Sequence, residues 1–121
     1  MRKTVILGSL PKPYRYAYQA AEMLERKKID FVPIGIHKGQ VMGQEILNVY
    51  DKPEIKDVHT LTLYINPERQ ETWYDYMLSL NPERIIFNPG TENQEFKKMA
   101  EDRGIECLEA CTLVMLSVGN F

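Results

Sequence analysis

Short apolar, β-branched runs alternate along this chain with stretches in which apolar residues recur every three or four positions. The first run covers residues 3–8, where Thr4-Val5-Ile6-Leu7 empties into Gly8-Ser9. Ala17, Ala20, Ala21 and Leu24 follow at i, i+3, i+4 and i+7, one apolar stripe of a helix over roughly 14–28. Arg26, Lys27 and Lys28 close that helix, where cations suit the negative end of its dipole. A second run spans Ile29 to Ile36, and a glycine-spaced loop from His37 to Gly43 comes after it. Residues 44–56 are weakly periodic and hold Pro53, which predicts irregular structure or one helical turn. The third run is Val58 to Ile65.

Asn66-Pro67-Glu68 then has the form of a helix start: an N-cap, proline at the first position, an acid in the first turn. Trp73, Tyr76, Met77 and Leu80 give its apolar face, and Asn81-Pro82 ends it. The tetrapeptide Asn-Pro-Glu-Arg occurs at 66–69 and again at 81–84, which we read as two similar helix-boundary signals. Arg84 to Phe87 is the fourth run and Asn88-Pro89-Gly90 a turn. Thr91 and Gln94 predict a capping box for a last helix with Phe96, Met99 and Ala100 inward and Gly104 at C′. A fifth run begins at Ile105, and the apolar tail from Thr112 to Phe121 reads as another strand or an extended cover.

Strand and helix in alternation imply a parallel sheet with helices on both faces, because right-handed crossovers bring every strand's C-terminal end to one edge. The expected fold is α/β, a single-domain doubly wound parallel sheet, Rossmann-like, in the order 3-2-1-4-5 with its switch point between strands one and four. A length of 121 residues suits one domain over 1–121. With 15 basic and 17 acidic residues the net charge is −2, which argues against nucleic acid as a partner. No apolar stretch is long enough to span a membrane, and Met1-Arg2-Lys3 leads straight into a strand, so a cytoplasmic protein without a leader is expected. Two cysteines, Cys107 and Cys111, are too few for a disulfide scaffold.

A ligand of such a sheet sits beyond the strand C-termini, near the switch point. Four segments converge there: Gly8 to Tyr18, Gly35 to Lys38, Tyr64 to Pro67 and Asn88 to Asn93. In the first, Gly8 permits close backbone approach, Ser9 offers a hydroxyl, and Lys12 and Arg15 flank a helix N-terminus. Free amides with two cations suit a pyrophosphate, while a plain strand–helix turn with solvated cations is the bland alternative. The full Gly-x-Gly-x-x-Gly fingerprint is absent. An NAD site places an acid at the end of strand two; here Gly35-Ile36-His37-Lys38 is basic and suits a phosphorylated ribose, as in coenzyme A or NADP, or is simply a polar loop. Asn88 can both donate and accept toward a base edge or an amide, and Asn88-Pro89-Gly90 serves equally as ligand-free turn chemistry.

Catalytic groups are scarce. No Ser-His-Asp set or metal-ligand spacing assembles, and His59 falls at the edge away from the site. Cys111 follows strand five at the ligand's far end, although free cysteine is among the most buried residue types. A phosphate-receiver domain would need acids after strands one and three, where Gly8-Ser9 and Ile65-Asn66 stand.

Those segments together resemble the small stand-alone CoA-binding proteins, and through them the CoA-binding domains of succinyl-CoA synthetase and ADP-forming acyl-CoA synthetases. The resemblance rests on Val5 to Tyr18 with its spaced Pro11, Pro13, Arg15 and Tyr18, on Val32-Pro33-Ile34-Gly35, on Gly43, on Asn88 to Asn93 and on Cys111. The family's first turn usually reads Gly-Ala-Ser where this chain has Gly8-Ser9-Leu10, and it carries an asparagine where Gly35 stands. The resemblance implies CoA across the strand ends. Gly8, Ser9, Leu10, Lys12, Pro13, Arg15 and Tyr18 would line the phosphates, Gly35, His37 and Lys38 the adenosine, and Asn88 and Gly90 the opposite wall. The expected function is non-catalytic binding of coenzyme A or a related nucleotide, the partner being a small-molecule nucleotide or CoA thioester, with a homodimer or a partner subunit open. A small NADP-dependent or thiol-based enzyme using Cys111, and an interaction module presenting Leu113-Val114-Met115-Leu116, stand beside it.

Overall fold

In the computed structural model, which describes residues 3–121, each apolar run forms a strand of one sheet; Met1 and Arg2 lie outside the described residues. Strand β1 (Lys3–Leu7) leads through the first loop to helix α1 (Tyr16–Arg26), and β2 (Asp30–Gly35) follows. A small excursion comes next: the two-residue strands β3 (Gln40–Val41) and β4 (Gln44–Glu45), which pair antiparallel, then β5 (Leu47–Asn48) and a 3-10 turn over Val49–Asp51. Strand β6 (Val58–Leu63) precedes a helical stretch made of α2 (Pro67–Gln70), a 3-10 turn over Glu71–Trp73 and α3 (Tyr74–Ser79). The chain ends with β7 (Arg84–Phe87), α4 (Gln94–Glu101), β8 (Glu106–Glu109) and α5 (Thr112–Val118).

Six strands form one sheet in the order β5-β2-β1-β6-β7-β8, and every pairing in it is parallel. The expected order 3-2-1-4-5 is corrected in one respect. The third apolar run, now β6, does not lie outside β2 but pairs with β1 on its other side. The position outside β2 is taken by β5, joined through Ile34 and Gly35 to Leu47 and Asn48. Counting β5, the sheet reads 3-2-1-4-5-6, and the switch point falls between β1 and β6. The physical reason lies in residues 36–57: with no helix to carry a crossover, that segment can supply only a stub of strand before it returns.

Alternation along the strands assigns the two faces. Val5, Leu7, Leu61, Leu63, Ile85 and Phe87 belong to the core under α2, α3 and α4, with Trp73, Met77 and Phe96. Ile6 and Phe31 pack with Ala17, Ala21 and Leu24 of α1 and Leu116 of α5. The predicted stripe of α1 is therefore the buried one. The tail is neither strand nor extended cover: α5 buries Thr112, Met115 and Leu116 at i, i+3 and i+4 and stops at Gly119, whose φ of 77° is the left-handed C-cap that glycine favours. The capping box of Thr91 and Gln94 does not form either. Asn93 caps α4, accepting from the Phe96 amide at 3.0 Å, and Thr91 turns back to donate to the Asn88 carbonyl. Among the described residues no helix is long and apolar enough to cross a membrane, and no three His, Cys, Asp or Glu side chains converge to hold a metal.

Candidate functional site

Because all six strands run parallel, the loops after β1, β2, β6, β7 and β8 open on one edge. That edge has two unlike halves. The half after β1 and β2 is basic and exposed, and the half after β6, β7 and β8 is sealed by polar side chains that bond to one another.

The first half begins with Gly8, whose φ of 103° suits glycine; a Cβ there would sit 3.0 Å from the Tyr64 carbonyl group and the Ile65 side chain. The Gly8 and Ser9 amides both donate to the Ile34 carbonyl, at 2.9 and 3.0 Å, so neither is offered outward. Ser9 is buried and its hydroxyl donates to the Ile6 carbonyl at 3.2 Å. The Ser9 carbonyl presses on β2 so closely that a Cβ at Gly35 would lie 2.4 Å from it. A side chain such as the asparagine usual in the family has no room here. Pro11 is packed as tightly on Gly39, where an added Cβ would meet its ring at 2.5 Å. The first loop is thus fastened to the β2 loop at two points.

Beyond those contacts the loop is open. Leu10 is half-buried, while Lys12, Pro13, Tyr14, Arg15 and Tyr16 are exposed. The Arg15 guanidinium lies 5.9 Å from the centroid of the Tyr14 ring. Arg15 is the N-cap of α1 with extended backbone, no side chain caps the helix, and no acid stands in its first turn. The Tyr16, Ala17 and Tyr18 amides therefore begin α1 with the positive end of its dipole uncompensated, next to the cation Arg15 and one turn from Lys12. Tyr18 itself is half-buried against the α1–α5 core. His37 and Lys38 are exposed just past Gly35.

The second half centres on Asn88, which is 3% exposed. Its Nδ2 donates to the Thr62 hydroxyl at 2.6 Å and to the Leu63 carbonyl at 2.9 Å, and its Oδ1 accepts from the Thr112 amide at 2.8 Å. Of the two readings open for this amide, these bonds favour the one within the fold: both donors and the acceptor tie β6 and β7 to the start of α5. Gln70, fully buried, continues the network and was not singled out in the sequence. Its Nε2 donates to the Ile65 and Thr91 carbonyls at 2.9 and 2.7 Å, and its Oε1 accepts from Asn93 at 3.0 Å. The signal was available, since Gln70 stands at i−3 and i−7 from Trp73 and Met77 on the apolar stripe. Gly90 is exposed with φ 92°, and its amide donates to the Glu92 carboxylate at 2.8 Å.

Tyr64 stands where the halves meet. Its hydroxyl is buried beside Thr62, Thr112 and Cys111, and that burial pushes its pKa up to about 12. The Cys107 thiol is raised to about 11, chiefly by burial and then by Glu101, so it stays protonated at neutral pH. Cys111 is half-buried at the N-cap of α5. A hollow of about 840 Å³ lies on the far edge of the sheet, under the 52–58 segment and Tyr76. Its charges, Lys52, Glu54, Lys56, Asp57 and Glu83, are of mixed sign. The chemistry for an anion is therefore concentrated on the open rim around α1 and not in this deeper space.

Comparison with known proteins agrees with this fold. A crystal structure of an uncharacterized protein is 52% identical, with a TM-score of 0.96 over 100% of this chain and 98% of the other. A Thermus thermophilus protein superposes with a TM-score of 0.83 at 21% identity, over 99% and 90% of the two chains. A conserved hypothetical protein from Pyrococcus furiosus does so at 0.80 and 21%, over 94% and 98%. These last two share the fold. No curated protein matches. The CoA binding domain family matches residues 2–117, nearly the whole chain, and to that family this chain belongs.

Proposed function

We propose that this chain is a binding module for coenzyme A or a CoA thioester, with the ligand's phosphates at the turn between β1 and α1. The observation that carries the reading is the uncapped first turn of α1 just after Lys12 and Arg15, in a chain of the CoA-binding family. Backbone amides and two cations recognise a pyrophosphate without any acid to repel it. His37 and Lys38, one strand over, suit the phosphorylated ribose that distinguishes CoA from simpler adenine nucleotides. On the opposite side Asn88 and Gly90 form only a fixed wall, since the Asn88 side chain and the Gly90 amide are both engaged within the protein.

Thermal unfolding with and without ligand tests this. CoA and acetyl-CoA raise the transition by more than NAD or ATP, a hundredfold excess over Kd adding about 2.7 kcal/mol. Arg15→Ala weakens CoA about tenfold or more, the effect of one charge-assisted hydrogen bond of ~1.5–3 kcal/mol. A transition that none of these ligands moves overturns the reading. A larger shift with NADP than with CoA would replace CoA by the dinucleotide.

A further inference from the structure

Two tyrosines flank Arg15 and both are exposed, Tyr14 at 69% and Tyr16 at 70%. Neither ring packs in the core, so burial accounts for neither. They differ in one respect. The Arg15 guanidinium lies over the Tyr14 ring, 5.9 Å from its centroid, and among the described residues it rests over no other ring.

The backbone that carries Tyr14 is held from both sides. The Arg15 amide donates to the Lys12 carbonyl at 3.0 Å and closes the turn over 12–15. Gln19 reaches back from α1, its Nε2 donating to the Tyr14 carbonyl at 3.3 Å, while its amide donates to the Arg15 carbonyl at 3.0 Å. One residue of the helix thus fixes Tyr14 and Arg15 relative to the helix start. No acid competes for the guanidinium: the sole ion pair among the described residues is Lys98–Asp102, at the far end of α4.

A guanidinium has a face and an edge. The face stacks on an aromatic ring, and the in-plane N–H groups form the fork that takes a phosphate. Tyr14 engages the face and leaves the edge free. An arginine so restrained has less rotamer freedom to lose when an anion arrives.

We propose that Tyr14 is a positioning residue, whose ring restrains the Arg15 guanidinium beside the first turn of α1 with its N–H edge open to a phosphate. The inference rests on the reading of that turn as the phosphate site of a CoA-type ligand. Tyr14 acts through Arg15 and not by stacking on the ligand's base.

NMR titrations of the full chain with CoA and with inorganic pyrophosphate test it. Tyr14→Ala weakens both ligands about two- to fivefold, the worth of an exposed cation–π contact, and Tyr14→Phe, which keeps the ring, binds as the parent does. Tyr16→Ala loses less than Tyr14→Ala. In an Arg15→Ala background Tyr14→Ala has no further effect, because the two residues act as one unit. Before ligand is added, the ring current of Tyr14 moves the Arg15 δ-methylene protons upfield, and Tyr14→Ala abolishes that shift. A loss with CoA that spares pyrophosphate would put Tyr14 on the base and overturn the proposal, as would a loss that persists without Arg15. A parent that binds CoA no better than Tyr14→Ala does ends the positioning role and leaves the CoA reading standing. A parent that binds neither ligand ends both.

Discussion

Asn-Pro-Glu-Arg at 66–69 and the same four residues at 81–84 take opposite parts in the fold. In the first copy Asn66 is extended, at φ −70° and ψ 162°, and its side chain accepts from the Arg69 amide at 2.9 Å, so the tetrapeptide opens α2. In the second copy Asn81 is left-handed, at φ 49°, and its own amide donates back to the Leu78 carbonyl, so the tetrapeptide closes α3. Arg69 is left exposed in solvent. Arg84 begins β7 and is buried; its Nε donates to the Thr60 hydroxyl at 2.7 Å and its guanidinium lies 4.5 Å from the Phe121 ring centroid. What differs is the sequence downstream. Gln70-Glu71-Thr72-Trp73 continues a helix, whereas Ile85-Ile86-Phe87 is a buried strand that draws Arg84 in with it. A boundary signal marks that an element changes; the next four residues decide which element comes.

Substitutions at matched positions separate the two copies. The largest effect is expected from Arg84→Ala, at about 3 kcal/mol in urea unfolding, because it empties buried volume and removes the donor that holds Thr60. A loss no larger than that of Arg69→Ala would mean that the two arginines are equivalent after all. Asn66→Ala removes one helix cap and costs about 1 kcal/mol, read from the same unfolding curves. The smallest effect belongs to Arg69→Ala, within about 0.5 kcal/mol of the parent, as for an exposed side chain without partners in the core. A cost near that of Arg84→Ala would erase the distinction.

Most of the elements were legible because period 2 and period 3.6 stood clear of each other along the chain. The α1 stripe and the strand at 58–63 follow from that alone, and the strand at 84–87 from its short unbroken apolar run. Strand order was less legible. β5 is two residues long, too short to show alternation, yet it decides which strand lies outside β2. The seven residues of α5 posed the converse problem: two turns rich in valine and leucine look alike as strand or helix, and only packing on α1 distinguishes them. In the candidate site, the glycine, prolines and cations of the first loop could be read directly, because their backbone and charge properties need no partner. Asn88 could not. A side-chain amide offers the same donors and acceptor to a ligand and to Thr62, and nothing in its neighbours along the sequence indicates that Thr112, twenty-four positions on, claims it.

The two contacts that fasten the first loop, the Ser9 carbonyl on Gly35 and Pro11 on Gly39, bear on how quickly and at what entropic cost anything can arrive there. A loop that must first be ordered charges each immobilised side chain about 0.5–1.5 kcal/mol at the moment of association. Here the backbone from Gly8 to Pro11 is already held by these contacts, so for the ligand proposed above only the exposed ends of Lys12 and Arg15 would have to settle. Encounter then depends on the field of those cations, which attracts an anion over roughly a Debye length and fades as salt rises. The association rate, more than the dissociation rate, is where ionic strength should be felt.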